Sequence, residues 1–214
     1  MNSSRSPYQS RLRAEQAAAT RRLVLDAATR LFVERGYGGT SIDAIAEEAG
    51  VGRSTVFAAA GGKPWLLKTA CDRAIVGDDE QVPFHERPEA RKLFAMADPT
   101  EIVTGYAGML SDAQQRVSAI YEVVRSAAGV DPEVGELWTE LSRQRLAGAK
   151  EMATLLGRKG GLRPGLSVAS ARDIIWVYND PGLHHALVGI RRWSQPKYRD
   201  WLADTLKCQL LGGL

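Results

Sequence analysis

The chain has 214 residues, of which 44% are hydrophobic, so it is long enough to bury a substantial core in one or two domains. Its net charge of +3 is too small to identify a partner, but residues 1–63 carry the whole excess, with nine Lys/Arg against six Asp/Glu. The N-terminus is polar and no apolar run reaches the length of a membrane span, so we expect a cytoplasmic protein. Two cysteines without metal-ligand spacing, Cys71 and Cys208, are expected to be reduced core thiols.

Residues 1–16 are rich in Ser, Arg and Gln and have little to bury, which predicts a flexible arm. Five arginines against one glutamate make this stretch and the start of the next helix basic: Arg5, Arg11, Arg13, Arg21, Arg22 and Glu15. Such a charge suits the attraction to phosphates that dominates nucleic-acid affinity. The alternative is a disordered tail that only adds solubility.

A first helix is predicted from about Ala17 to Gly36. Its apolar residues recur on one side and are Leu23, Val24, Ala27, Ala28, Leu31 and Phe32. Tyr37, which follows the helix, is expected to pack beneath the next segment, and a phosphate contact is the alternative.

Residues 40–63 predict two short helices joined by a glycine turn. Thr40 and Asp43 match a capping box, so the first helix is expected to begin there. Gly50 supplies the left-handed conformation that ends this helix, and Gly52 opens the next one. One apolar stripe at helical spacing supports the first helix: Ile42, Ile45, Ala46 and Ala49. This is a helix-turn-helix pattern.

The second of these helices, from about Arg53 to Ala59, is expected to bury Val56 and Phe57. Its first turn then points outward, at the positions where helix-turn-helix proteins meet bases and phosphates in the major groove. Arg53 is the best candidate base reader, since a guanidinium bonds guanine O6 and N7 together. The alternative is that Arg53 is an ordinary solvated charge.

Residues 23–67 resemble the N-terminal DNA-binding domain of the TetR family of bacterial transcription regulators. The resemblance rests on E-R-G-Y at the end of the first helix, A-G-V in the turn, T-V-F in the second helix, and a glycine and lysine before the next helix. It implies a homodimer that binds a palindromic operator of double-stranded DNA. The candidate DNA contacts are Thr40, Ser41, Arg53, Ser54, Thr55, Phe57 and Lys63.

The chain departs from the family pattern at three positions. Phe57 stands where members usually have a tyrosine that touches a phosphate, and Ala59 and Ala60 replace a His-Phe pair. Lys63 is retained at the start of the next helix, where helix amides also favour a phosphate. The departures leave an alternative function open, a ligand-binding or interaction module of the same fold with weakened DNA contacts.

The remainder of the chain also predicts helices. Pro64 opens one that runs to Gly77 and links two domains, and residues 78–88 are expected to form a loop. Asp-Pro pairs at residues 98, 131 and 180 are strong helix starts. The further predicted helices are 88–96, 99–128, 132–156, 167–179, 181–190 and 195–211. We therefore predict an all-α chain with an arm (1–16), a helix-turn-helix domain (17–63) and an effector-binding and dimerisation domain (64–214).

The last two long helices hold more apolar residues than one core requires, and the corresponding helices of TetR-like proteins form a four-helix bundle between subunits. The predicted dimer interface is Ile174, Ile175, Tyr178, Trp201, Leu202, Leu206 and Leu210. Family members commonly bind a small, mostly apolar effector, and aromatic and methionine side chains line such pockets. The candidate effector pocket is Phe94, Tyr106, Met109, Tyr121, Trp138, Met152 and Trp176, with ordinary core packing as the alternative.

Catalytic and cofactor motifs are not found in the sequence. Adjacent His184 and His185 point about 100° apart on a helix and do not chelate one metal, and His85-Glu86 lacks the second histidine of H-E-x-x-H. We therefore expect a regulator without enzymatic activity, metal or cofactor, and a repressor because most of the family represses.

Overall fold

The computed structural model describes residues 7–76 and 88–211. Helices occupy most of both ranges, and no strand lies within them, so the predicted all-α fold is confirmed. In chain order the helices are α1 (Pro7–Arg35), α2 (Ile42–Ala49), α3 (Arg53–Ala60), α4 (Lys63–Val76), α5 (Pro88–Ala95), α6 (Pro99–Ala127), α7 (Pro132–Arg158), α8 (Val168–Tyr178), α9 (Pro181–His184) with a π-helical continuation (His185–Ile190), and α10 (Gln195–Leu211).

Three Asp-Pro pairs start helices as predicted. The carboxylates of Asp98, Asp131 and Asp180 accept hydrogen bonds from the free amides of α6, α7 and α9. Proline occupies the first helical position in each case, where it has no amide to leave unpaired. These caps fix the starts of the helices that build the second half of the molecule.

The N-terminal helix is longer than predicted. It begins at Pro7 instead of Ala17, so residues 7–16 are helical, while residues 1–6 lie outside the described part of the chain. The side chains of residues 11–19 are exposed, which explains why apolar spacing did not predict this extension. Seven of the ten residues at 7–16 are Gln, Arg, Leu, Ala or Glu, and these residues favour a helix even without burial. Most of the loop predicted at 78–88 also lies outside the described residues.

The helix predicted at 181–190 is also different. It is α-helical only as far as His184, continues as one π-helical segment, and ends before Arg192, which has a φ of 60°. A π-helical turn widens the backbone and commonly marks a local packing adjustment.

Two apolar cores hold the helices together. The first is built from α1, α2, α3 and α4 with the C-terminal half of α6 and the N-terminal half of α7. The second is built from α5, α8 and α10 with the opposite halves of α6 and α7. Because α6 and α7 contribute to both cores, the helix-turn-helix is joined to the second half through α1 and α4, which pack on these helices. Among the described helices, none is both long enough and apolar enough to cross a membrane.

Candidate nucleic-acid interface

The turn between α2 and α3 has the geometry that the glycines predict. Gly50 ends α2 with a φ of 66°, and the Val51 amide donates to the Ala46 carbonyl at 3.0 Å. Ile45 and Val56 are fully buried against each other's helices in the first core. The turn therefore holds α3 rigidly beside α2.

The start of α2 differs from the prediction. The cap is Ser41, whose hydroxyl accepts from the Ala44 amide at 3.1 Å, and the predicted capping box of Thr40 and Asp43 does not form. Thr40 is buried, and its hydroxyl faces the carbonyls of Leu31 and Gly36 at the end of α1. The Thr40 side chain is therefore not accessible to DNA, and its predicted contact is wrong. Ser41 is exposed and keeps its hydroxyl proton free to donate.

The outward face of α3 brings together Arg53, Ser54, Phe57 and Ala58, which are all exposed. The opposite face is filled by small apolar residues, and Thr55 is half-buried between the two faces. The prediction that Phe57 is buried is wrong, because 46% of it is exposed. One helical turn separates it from Arg53, so the two side chains share a stripe of the outward face.

Arg53 has two partners that the sequence did not indicate. Its Nη1 donates to both carboxylate oxygens of Asp43, at 2.7 and 2.6 Å. Its guanidinium carbon lies 5.6 Å from the centre of the Phe57 ring. Asp43 and Arg53 belong to different helices, so no spacing rule within one helix relates them. The pair is exposed and contributes little to stability, which leaves orientation of the arginine as its main effect.

Lys63 does not lie free at the start of α4. Its ammonium donates to the carbonyl oxygens of Tyr37, at 2.8 Å, and Thr40, at 3.1 Å, and lies 4.0 Å from the centre of the Tyr37 ring. These carbonyls belong to the loop between α1 and α2. The lysine therefore holds this loop on α4 in the absence of DNA. Its predicted phosphate contact stays a prediction and requires the ammonium to leave these carbonyls.

Tyr37 joins the helix-turn-helix to the corner between α6 and α7. Its side chain is buried, and its hydroxyl donates to Oδ2 of Asp131 at 2.6 Å, while Oδ1 of the same carboxylate caps α7. The hydrogen bond from Tyr37 is the main cause that lowers the pKa of Asp131. Burial, and then the neighbouring Asp131, raises the pKa of Tyr37. The hydroxyl is thus engaged inside the protein and is not placed to reach a phosphate.

An open groove of about 950 Å³ separates the N-terminal part of α1 from α3. Its lining includes Arg21 and Arg22 of α1 and Thr55, Ala58 and Ala59 of α3. The Arg21 guanidinium also lies 5.9 Å from the ring of Trp65 at the start of α4. The basic part of α1 therefore lies beside α3 across this groove.

Comparison with known proteins supports this interface. Residues 24–69 match the family model described as bacterial regulatory proteins, tetR family. Over 86 residues the chain is 33% identical to YhgD of Bacillus subtilis strain 168, described as an uncharacterized HTH-type transcriptional regulator. That match covers 36% of this chain and 44% of the relative, so the chain spans less than half the length of the curated relative.

Solved structures resemble almost the whole chain. NalD of Pseudomonas aeruginosa, the secondary repressor of the MexAB-OprM multidrug efflux pump, is 20% identical, with a TM-score of 0.67 over 94% of this chain and 100% of NalD. Residues 24–69 thus form a TetR-type helix-turn-helix segment. A regulator structure from Saccharomonospora viridis in complex with choline is 19% identical, with a TM-score of 0.67 over 91% of this chain and 98% of that one. At these identities the structural likeness extends the TetR-family fold, and only the fold, to the second half.

The predicted dimer interface needs correction. Ile175, Leu202, Leu206 and Leu210 are fully buried in the second core of a single chain and are not available to a partner. Helical spacing predicts an apolar face but does not tell which neighbour covers it, and here α6 and α7 do. The three other predicted residues, Ile174, Tyr178 and Trp201, are half-buried. Val177 on α8 is 50% exposed and Ile190 at the end of the π-helical segment is 66% exposed, and neither residue was predicted to lie in the interface.

The seven residues of the candidate effector pocket are not brought together as one set. Tyr121 and Trp138 belong to the first core, where their ring centres are 5.2 Å apart. The second core holds Tyr106 and Met152, with Phe94 and Met109 packed at its edge. The last member, Trp176, is 37% exposed and lies beside the guanidinium of Arg145. The alternative of core packing describes six of the seven in this structure.

A buried polar network in the second half was not predicted from the sequence. His184 lies between Ser118 of α6, at 3.1 Å from Nδ1, and Gln195 of α10, at 2.8 Å from Nε2. Gln195 in turn donates to Ser111, and the Tyr198 hydroxyl donates to Gln114. The signal in the sequence was a polar stripe at helical spacing on α6, formed by residues 111, 114 and 118. This network fixes α9 and α10 against α6.

Proposed function

We propose that this chain is a transcription regulator that binds a palindromic DNA operator as a homodimer and is released by a small-molecule effector. The observation that carries the proposal is the exposed face of α3, with Arg53, Ser54 and Phe57, on a rigid helix-turn-helix in the segment that matches the TetR family. In helix-turn-helix proteins the second helix enters the major groove and presents such residues to base edges.

The contacts of each subunit follow from the exposed residues. Arg53 reads a base, while the hydroxyls of Ser41 and Ser54 donate to phosphates at the starts of α2 and α3. The arginines of α1 attract the flanking backbone across the groove beside α3. Two α3 helices of a dimer meet successive major grooves only if they lie about 34–36 Å apart, or a multiple of that distance.

In the proposed dimer, the apolar residues that remain exposed on α8 and on the π-helical segment after α9 pack against a second copy. Val177 and Ile190 are exposed, and Ile174, Tyr178 and Trp201 are half-buried on α8 and α10. Apolar side chains that cluster at the surface commonly mark an interface, and a two-fold axis lets the same patch cover itself.

Release by an effector is supported by the fold and by the relatives. NalD is a repressor, and the Saccharomonospora viridis protein was solved in complex with choline. In the present chain α4 starts at the helix-turn-helix and packs on α6. An effector that displaces α6 would therefore shift α4 and change the distance between the two α3 helices. Because six of the seven candidate pocket residues are packed in or against the two cores, effector entry among them requires helices to move apart.

A second candidate function is a ligand-binding or interaction module of the same fold with weakened DNA contacts. It is favoured by the engagement of Lys63 with two carbonyls and by the pairing of Arg53 with Asp43. These contacts remove one phosphate-binding charge and offset another.

Binding to a pool of random duplexes, followed by enrichment, tests the proposal. A regulator enriches one palindromic sequence, and its affinity falls steeply as salt rises. Arg53→Ala is expected to lose about 1–3 kcal/mol at one base of each half-site. The matched control is Arg143→Ala, an exposed arginine of α7 that pairs with Glu140 and lies away from α3. Failure to enrich any sequence would favour the second candidate.

A further inference from the structure

We propose that Asp43, Arg53 and Phe57 act as one recognition triad that selects a guanine with a thymine in the neighbouring base pair. The inference rests on the proposed function and adds the identity of the bases. Its members come from two helices and meet on the exposed side of the helix-turn-helix.

The hydrogen-bond donors of Arg53 are only partly used by Asp43. Asp43 takes only Nη1, and no described residue accepts a hydrogen bond from Nε or Nη2. The guanidinium therefore keeps two parallel N–H groups on one edge. That edge matches the O6 and N7 acceptors of guanine, which a single arginine can bond together.

The contacts of Arg53 with Asp43 and Phe57 lower the entropy cost of ordering the arginine on a base. A free arginine loses substantial rotamer freedom when it is fixed against a base. Asp43 and the Phe57 ring already hold the guanidinium from two sides in the unbound protein. Prior orientation lowers the ordering cost only for a base that fits the held geometry. Asp43 therefore raises discrimination, although its negative charge repels phosphates in every sequence.

The ring of Phe57 is an apolar surface beside the guanidinium of Arg53. It is exposed, lies one turn after Arg53, and carries no hydroxyl with which to reach a phosphate. In the major groove an apolar side chain recognises the C5 methyl group of thymine. Since the ring centre is 5.6 Å from the guanidinium carbon, the methyl group that it meets belongs to the base pair next to the guanine.

Modified bases test the triad without any change to the protein. The full chain first selects its operator from random duplexes, and binding of the chosen duplex is then measured by fluorescence anisotropy. Replacing the guanine by 7-deazaguanine removes N7 and is expected to weaken binding about tenfold. Replacing the neighbouring thymine by uracil removes only the methyl group and is expected to weaken binding about fourfold.

Three variants assign these effects to the triad. Phe57→Ala is expected to bind the thymine and uracil duplexes equally. Asp43→Asn is expected to lose most of the preference for guanine while its affinity for random duplex stays the same or rises, a pattern that loss of structure does not produce. Glu47→Gln is the control, because it removes an exposed α2 carboxylate that does not contact Arg53.

The outcomes distinguish failure of the triad from failure of the proposed function. Specific binding to a site without guanine beside thymine, or an unchanged affinity for the uracil duplex, would overturn the triad and leave the regulator intact. The same holds if Phe57→Ala still distinguishes thymine from uracil. Absence of any sequence-specific binding would overturn the proposed function and the triad together.

Discussion

Lys63 makes hydrogen bonds within the protein that were not predicted from its position in the sequence. Its charge suggested a phosphate contact, yet its ammonium closes the loop between α1 and α2 through the carbonyls of Tyr37 and Thr40. A sequence gives the charge of a lysine but not the direction of its long side chain. At this scale, the exposed residues Arg53 and Ser54 lie where the pattern predicts, because helical spacing alone decides which face they occupy.

Replacement of Lys63 by alanine tests this role. Lys63→Ala is expected to lower the free energy of unfolding by about 1.5–3 kcal/mol, since two hydrogen bonds from a charged donor are lost in a half-buried place. Urea denaturation followed by circular dichroism measures the change. Lys68→Ala is the control, because Lys68 is an exposed lysine of the same helix whose ion pair within the described part of the chain is with the exposed Asp72. Equal losses for the two variants would contradict the loop-closing role.

The two cysteines are expected to differ in reactivity. Cys71 is fully buried, and burial raises its pKa to about 12, whereas Cys208 is exposed on α10. The thiolate is the reactive form, so a thiol reagent at pH 8 should modify Cys208 well before Cys71. A Cys208→Ser variant should lose the fast phase and a Cys71→Ser variant should keep it. Two equal rates in the folded protein would show that Cys71 is accessible.

Among the helix boundaries, the starts at Asp-Pro pairs were the most predictable. The three Asp-Pro pairs start α6, α7 and α9 because an aspartate cap and a following proline act locally, without help from the rest of the fold. The start of α1 and the π-helical turn after α9 were not predictable. The first is stabilised without burial, and the second depends on packing against neighbouring helices.

The cap of α7 also links elements that are distant in sequence. Tyr37→Phe removes the donor to Asp131 and is expected to cost about 0.5–1.5 kcal/mol of stability at pH 7. The hydrogen bond lowers the folded-state pKa of Asp131, so its contribution is present above the ordinary carboxyl pKa and is lost as the pH falls through the folded-state value. The difference between wild type and variant should therefore be largest at neutral pH and shrink on acidification.

Unfolding measured between pH 3 and pH 7 checks this dependence. Tyr178→Phe serves as the control, because its hydroxyl has no hydrogen bond to a described residue. A difference between wild type and Tyr37→Phe that grows toward low pH would contradict the assigned hydrogen bond.

At the scale of the whole molecule, the two halves are joined through two helices that they share. Both α6 and α7 pass from the core that includes the helix-turn-helix to the core of the second half. Family resemblance predicted the two functions of the chain but not this arrangement. It also did not predict which apolar residues of α8 and α10 stay exposed, because an amphipathic pattern is the same whether its own chain or a partner covers it.

Charged substitutions on the exposed apolar surface test the dimer. Val177→Glu combined with Ile190→Glu is expected to convert a dimer into a monomer with unchanged helical content, since burying two unpaired carboxylates is unfavourable. Analytical ultracentrifugation measures the change. Val130→Glu is the matched control, because Val130 is 81% exposed at the turn between α6 and α7. A double variant that remains dimeric would place the interface elsewhere.

Binding of the protein to the intergenic DNA upstream of its own gene tests the central claim most directly. A gel-shift at near-physiological salt with excess competitor should give one discrete complex with two chains per duplex and a dissociation constant of about 10⁻⁸ M or tighter. Arg53→Ala should weaken that complex, and the Arg143→Ala control should not. A wild-type protein that folds and dimerises but binds this and enriched random DNA no better than competitor would contradict a DNA-binding regulator.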